Sequence, residues 1–126
     1  MRYLSNEWIQ AADAAVQQAA HTAPAAPVVV EQHVDGALSY RVEIAQGSCS
    51  VSVLGPDSSA TNADAVFRQN LATATAVAQG ATDAHQAFLL GQITFEGNID
   101  LLIERRDAFA WLEEALAPVL AATTFD

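Results

Sequence analysis

The sequence predicts an α+β domain, and three features predict it. A helical stripe of apolar residues follows a capping serine near the start. Short segments with strict two-residue alternation, separated by glycine-containing turns, occupy the middle. Apolar helices capped by Asn or Asp, interrupted by one more alternating segment, fill the second half. The first and last patterns follow the 3.6-residue period of a helix; the middle one follows the two-residue period of a strand.

Taken in order, Ser5 can accept a hydrogen bond from the first turn of a helix, and Glu7 places negative charge there. Trp8, Ala12, Ala15 and Ala19 recur on one stripe, with Ile9 and Val16 beside them, so a helix is expected over 5–20. Pro24 and Pro27 end it. A first strand is expected over 28–34. Asp35 and Gly36 then read as a two-residue hairpin turn, a geometry that requires positive φ at both positions. The segment 38–45 alternates, with Leu38, Tyr40, Val42 and Ile44 on one side and Ser39, Arg41 and Glu43 on the other. Gln46 and Gly47 turn the chain into 49–54, where Cys49, Val51 and Val53 share a face. The result is a three-stranded antiparallel meander with one apolar and one polar side. Gly55, Pro56 and Asp57 close it, and 58–62 reads as a polar loop.

A further strand is expected over 63–69. Asn70 caps a helix over 71–79 that Gly80 ends, and Asp83 caps a shorter one to Leu90 that Gly91 ends. The segment 92–96 alternates, with Ile93 and Phe95 on one side. Asn98 caps a last helical region with a kink or restart at Asp107. Pro118 should end or kink it, because proline lacks the donor and clashes with the carbonyl of Glu114.

The chain has 126 residues, 52% of them apolar, which suits one domain spanning 1–126 with its own core rather than a disordered polymer. Acidic residues number 15 and basic residues 5, all of them Arg, for a formal net charge of −10. A basic footprint for nucleic acid is missing, and adhesion to an anionic membrane is disfavoured. Cys49 is the one cysteine, so no intrachain disulfide can form, and a small buried thiol is its expected role. Neither a signal peptide nor a spanning segment is evident, so no stable membrane insertion and a cytoplasmic location are expected.

Few residues suggest bond-making chemistry. His21, His33 and His85 lack companions at metal-ligand spacing, apart from the loose pair of His33 with Asp35, so no metal and no cofactor is expected. Ser48, Cys49 and Ser50 are not framed by a glycine elbow, the six glycines do not cluster into a phosphate loop, and without lysine no side-chain Schiff base can form. An enzyme is therefore not expected. Glu31, His33 and Glu43 are the strand residues that such an activity would need to use, as a carboxylate or histidine inside a cavity.

The distinctive stretch is 86–98: a helix, a glycine stop, a short alternating strand, a second glycine and a capped apolar helix. This order should gather Phe88, Phe95 and the helix after Asn98 into one wall. Ala87, Phe88, Gly91, Ile93, Phe95, Gly97 and Asn98 together resemble the motif of the sterol carrier protein type two family, the non-specific lipid-transfer proteins. Leu4, Ser5, Asn6, Glu7 and Trp8 resemble the opening of short bacterial members, and Gly47, Val51 and Val53 fall where the family's meander lies. The resemblance implies a five-stranded mixed, largely antiparallel sheet with helices mainly on one face, enclosing an apolar tunnel. It also implies binding and intracellular carrying of a fatty acid, sterol or other lipid. Residues suited to line such a cavity are Leu38, Tyr40, Val42, Val51, Val53, Phe88 and Ile93, then Phe95, Leu102, Phe109, Trp111, Leu112 and Leu116. Segment 111–125, with Pro118 near a chain end, is the natural gate. Periodicity alone favours these side chains filling a solid core; the resemblance is what argues for a cavity. The alternative is then an accessory module of the same fold with a filled interior, binding a protein partner or a second copy as a homodimer. Where family members often carry Lys or Arg after the first glycine, this chain has Gln92, Thr94 and Glu96. That departure disfavours acyl-coenzyme A, whose phosphates would lack cations there. Arg105 and Arg106 are expected to be solvated.

Overall fold

The structure, a computed structural model, describes residues 1–54 and 63–125. The turn expected at Gly55, Pro56 and Asp57 and the loop over 58–62 lie outside the described residues.

Helix α1 (Asn6–Ala19) begins where the Ser5 hydroxyl accepts from the Trp8 N–H at 3.2 Å. Its buried stripe is Trp8, Ile9, Ala12 and Val16, and a 3-10 turn over Ala20–Thr22 follows before Pro24. Five strands form one sheet: β1 (Val28–Asp35), β2 (Tyr40–Ile44), β3 (Ser50–Val53), β4 (Ala65–Asn70) and β5 (Thr94–Gly97), in the order β3-β2-β1-β4-β5. β1 and β4 are parallel and every other pair is antiparallel, so the sheet is mixed.

Register sorts the side chains between the two faces. Val28 pairs with Ile44, Val30 with Val42, and Val42 with Val51. These residues are buried and form one core cluster with the α1 stripe. On the opposite face Glu31 lies beside Arg41 and Val66. α1 also protects the outer edge of β3, where Asp13 Oδ1 accepts from the Val51 N–H at 2.9 Å. An edge strand left bare would offer its donors to another chain.

The expected two-residue hairpin at Asp35 and Gly36 does not form. The last β1–β2 pair is Gln32 with Tyr40, leaving Leu38 and Ser39 outside the strand. Among the described residues Leu4 is the one non-glycine with positive φ, so Asp35 is not in the left-handed conformation a type I′ turn needs. Instead the Val34 carbonyl accepts from the Ala37 N–H at 3.4 Å, with Gly36 at φ +90°, as a type II turn requires. The reason is the neighbour on the other side. His33, Val34 and Asp35 continue as a strand because they pair with Arg68, Gln69 and Asn70 of β4.

After β4 come α2 (Leu71–Ala78) and α3 (Ala84–Leu89), capped by Asn70 and Asp83 as expected. β5 leads into α4 (Ile99–Glu104), capped by Asn98, and α5 (Arg106–Ala121), which packs on α1. The break falls at Arg105, so α5 restarts one residue before Asp107. Pro118 does not end α5, which runs on to Ala121. It stands in the last turn on the exposed side, so the carbonyl it leaves without a donor belongs to the exposed Glu114, which water can reach.

The chain ends meet. The Tyr3 N–H donates to the Thr124 carbonyl at 3.0 Å, and the Thr124 N–H to the Met1 carbonyl at 2.7 Å. The Trp8 indole N–H donates to Thr123 Oγ1 at 3.2 Å, tying the tail to the core.

Gly97 is held where no other residue fits. Its φ is +132°, and a Cβ there would lie 2.5 Å from the Asp64 carbonyl oxygen. Gly97→Ala should therefore destabilise the fold by about 2–3 kcal/mol, combining strain with a displaced β4–β5 pair. Urea denaturation measures this, and a loss below about 0.5 kcal/mol would show that the turn relaxes freely.

Candidate functional site

β1 and β4 run in parallel and finish together, Asp35 beside Asn70. At that end of the sheet a cleft of about 580 Å³ opens. Four stretches build it. The N-terminal segment gives Arg2, Tyr3, Leu4, Ser5 and Asn6; the β1–β2 turn gives Gly36, Ala37 and Leu38. One face of α2 gives Leu71, Ala72, Thr75, Ala76 and Gln79, and the tail adds Thr124 and Phe125. The α2 residues fall at helical spacing, so they present a single wall.

Local constraints hold these walls in place. Leu4 takes φ +57°, a conformation costly for a leucine, and turns the chain from its bridge with the tail into α1. Its side chain is buried in the core, which offsets that cost. Gly36 brings the turn against Leu71, whose Cβ lies 3.8 Å from where a glycine Cβ would be.

Among the described residues Arg2 is the one charged side chain of the lining. It is exposed at the rim, while Leu4 is buried and Tyr3, Leu38 and Phe125 are half-buried. From the floor, aromatic rings step inward. Phe125 and Tyr3 are 5.0 Å apart, Tyr3 and Trp8 5.2 Å, and Trp8 and Tyr40 5.7 Å. Burial pushes the Tyr3 phenol up to about 12. Burial raises Tyr40 further, and the neighbouring Tyr3 phenolate adds repulsion.

The sheet–helix interface is unevenly filled. Beneath α1 it is closed: Trp8, Val16, Val28, Val30, Val42 and Ile44 are each at most 2% exposed. Towards β5 the large apolar residues are only half-covered. Phe67 and Phe95, with ring centroids 5.3 Å apart, and Leu101, Leu102, Phe109, Trp111 and Leu112 all pack against the core while keeping some exposure.

The residues expected to line a cavity are therefore dispersed. Leu38 lines the cleft, whereas Tyr40 does not and packs instead on Trp8, behind Tyr3. Val42, Val51 and Leu116 are buried in the closed core. Phe95, Leu102, Phe109, Trp111 and Leu112 belong to the half-covered layer, where the Trp111 indole N–H donates to Thr22 Oγ1 at 3.0 Å. Ile93 is buried outside the main cluster, and Val53 and Phe88 are exposed. Tyr3, Leu4, Leu71 and Ala76 were not legible as site residues, and Phe125 entered only as the end of the gate segment 111–125. α2 is apolar on nearly every side, so its pattern does not mark the face that lines the cleft. The wall made by the two chain ends is purely tertiary.

Glu31, His33 and Glu43 lie on the sheet face away from α1. Glu31 is fully buried, with His33 Nε2 at 2.9 Å and Arg41 Nη1 at 3.1 Å, and Arg41 Nη2 stands 3.7 Å from Glu43 Oε1. The buried carboxylate is thus neutralised by an arginine and bonded to an imidazole, and neither it nor His33 lines the cleft. Among the described residues no three His, Cys, Asp or Glu side chains converge to hold a metal ion. No helix among them is long and apolar enough to cross a membrane.

A model of the SCP-2 sterol transfer family matches residues 6–109. The chain belongs to that family. Solved structures share its fold at low identity. A conserved hypothetical protein of Thermus thermophilus, described as possibly a sterol carrier protein, superposes with a TM-score of 0.65 at 18% identity, covering 94% of this chain and 90% of that one. A palmitated SCP2L2 of Aedes aegypti gives 0.57 at 19% identity, covering 85% and 94%. UbiJ-SCP2, a ubiquinone synthesis protein, gives 0.54 at 15% identity, again covering 85% and 94%. No curated protein sequence matches. The SCP-2 fold here carries its cleft partly on Arg2, Tyr3, Leu4, Ser5, Thr124 and Phe125, all outside the matched residues.

Tyr3 and Tyr40 are the two tyrosines of the chain. Because burial raises both, each is neutral in the folded state through the ordinary phenol range near ~10. The unfolded chain loses these protons first, so their contribution to stability is full below pH ~10 and falls as pH rises towards about 12. Titration at 295 nm should show no phenolate before the circular dichroism signal of folding is lost. A tyrosine ionising at pH ~10 in folded protein would show that the aromatic path is open to water.

Proposed function

We propose that this chain is a carrier that binds a lipid with one apolar tail and a single anionic group, a fatty acid being the simplest example. The tail lies in the cleft against Tyr3, Leu4, Leu38, Leu71, Ala76 and Phe125, and the head group meets Arg2. One observation carries the reading. In a chain with 15 acidic and 5 basic residues, the cleft lining holds one arginine and, among the described residues, no carboxylate. Its volume falls within the range of about 300–1,000 Å³ usual for small-molecule sites. Membership of a sterol transfer family and the palmitated mosquito relative support it. The half-covered layer of Phe95, Leu102, Phe109, Trp111 and Leu112 is the proposed extension of the apolar seat.

Magnitudes favour the tail over the head. Each methylene removed from water contributes about 0.8 kcal/mol, so a tail of ~14 buried methylenes offers up to ~11 kcal/mol before ordering costs. An exposed arginine contributes about 1 kcal/mol or less. Affinity then rises with tail length by about 0.8 kcal/mol per buried methylene, so tails of neighbouring length are only weakly discriminated. A ligand with several phosphates would find one cation here, which disfavours acyl-coenzyme A.

A second reading has its own support. The interior beneath α1 is closed, and one relative of the same fold is a ubiquinone synthesis protein. The chain would then be an accessory module that binds a protein partner or a second copy.

Native mass spectrometry of freshly purified protein, followed by titration with a fluorescent fatty acid, separates the two. The carrier should show a co-purified amphiphile or saturable binding. Arg2→Gln should weaken binding about fivefold for the fatty acid and leave the matching fatty alcohol unchanged. Ala76→Trp, which fills the cleft, should abolish both. A clean apo mass together with no saturable binding would leave the accessory reading.

A further inference from the structure

Charge is distributed unevenly along this chain. Residues 71–95 contain one charged side chain, Asp83, in a protein with a formal net charge of −10. The same stretch holds four of the seven exposed large apolar side chains among the described residues: Leu71, Phe88, Leu89 and Leu90, the last two 69% and 65% exposed. Soluble surfaces scatter such residues singly; gathered in one segment they mark a place that meets something apolar.

Topology puts this segment at one end of the sheet. Leu71 follows Asn70, the last residue of β4. Leu90 lies shortly before Thr94, where β5 starts to pair near that same end of β4. The cleft opens there, and its α2 wall begins at Leu71. The uncharged segment and the cleft wall thus share α2, with Leu71 belonging to both.

Charge decides what the face can meet. An anionic bilayer would repel the rest of the molecule over a Debye length of about 8 Å at physiological salt. An electrically neutral surface would not, and the segment 71–95, with Asp83 as its one charged side chain, approaches it with little water to strip from ions. We propose that the α2–α3 end docks the protein on a neutral, zwitterionic lipid surface, so that a ligand passes between that surface and the cleft. This rests on the carrier reading. Leu89 and Leu90 would enter the interface as the apolar side of an interfacial helix does.

The test is co-sedimentation with phosphatidylcholine vesicles and with phosphatidylglycerol vesicles, alongside fatty-acid titration in the absence of vesicles. Wild-type protein should bind phosphatidylcholine more strongly than phosphatidylglycerol. Leu89→Glu with Leu90→Glu should reduce that binding at least tenfold while leaving fatty-acid affinity within twofold. Ile99→Glu with Ile103→Glu makes the same charge change on exposed residues beyond the opposite end of β5, and should alter vesicle binding less than twofold. The proposal falls if wild-type protein ignores phosphatidylcholine, if it prefers phosphatidylglycerol, or if both pairs of substitutions act equally. It also falls if sedimentation equilibrium shows a dimer that the Leu89 and Leu90 substitutions dissociate, which would assign the face to a second copy. Vesicle binding without any fatty-acid binding would uphold the surface and overturn the carrier reading; the converse would do the reverse.

Discussion

Strand β1 is the constraint on which the rest of the structure depends. It is hydrogen-bonded along both edges, antiparallel to β2 and parallel to β4. One face places Val28 and Val30 under α1; the other places the fully buried Glu31 among Arg41, His33 and Val66. A strand so enclosed cannot slip by one residue, because the slip would drive Glu31 into the apolar cluster and the valines out of it. Breaking the Glu31 pair would leave a buried charge without compensation, so the polar face is as restrictive as the apolar one.

The cleft follows from this register. β1 must run to Asp35 to match β4, which replaces a tight hairpin by a wider turn through Gly36, Ala37 and Leu38. The wider turn forms one wall, and α2, starting directly after Asn70, forms another. The two chain ends supply the third by pairing Arg2 with Thr124 and stacking Tyr3 on Phe125. A parallel strand pair finishing at one level therefore creates the opening, and the clasped ends give it depth. Charge is partitioned around it: one arginine in the lining, an almost uncharged segment beside it, and carboxylates over the rest of the chain.

Most of the fold was legible, for local reasons. Ser5, Asn70, Asp83 and Asn98 each cap the helix expected of them, because a short side-chain oxygen satisfying a free N–H needs only its own neighbours. The alternation from Tyr40 to Ile44 and at Val51 likewise predicted the buried face. The expected two-residue hairpin at Asp35 and Gly36 and the expected helix end at Pro118 failed for a shared reason. Each was a local rule overridden from outside, by a β4 partner in one case and by an exposed carbonyl in the other. The site was far less legible. Leu38 stood out by alternation, but Val42 and Val51 alternate identically and lie in closed core. Periodicity tells which side of an element is apolar, not whether the space it faces is full.

The sequence by itself determined the elements, the apolar faces, the acidic balance and the family, because propensity, capping, patterning and net charge are carried by residues close together in the chain. Only the tertiary structure decided which edges pair, where the two chain ends meet, and which apolar residues enclose a cleft rather than fill a core. Those outcomes depend on contacts such as Trp8 with Thr123 and Asp35 with Asn70, made between residues distant in sequence, which no local pattern encodes.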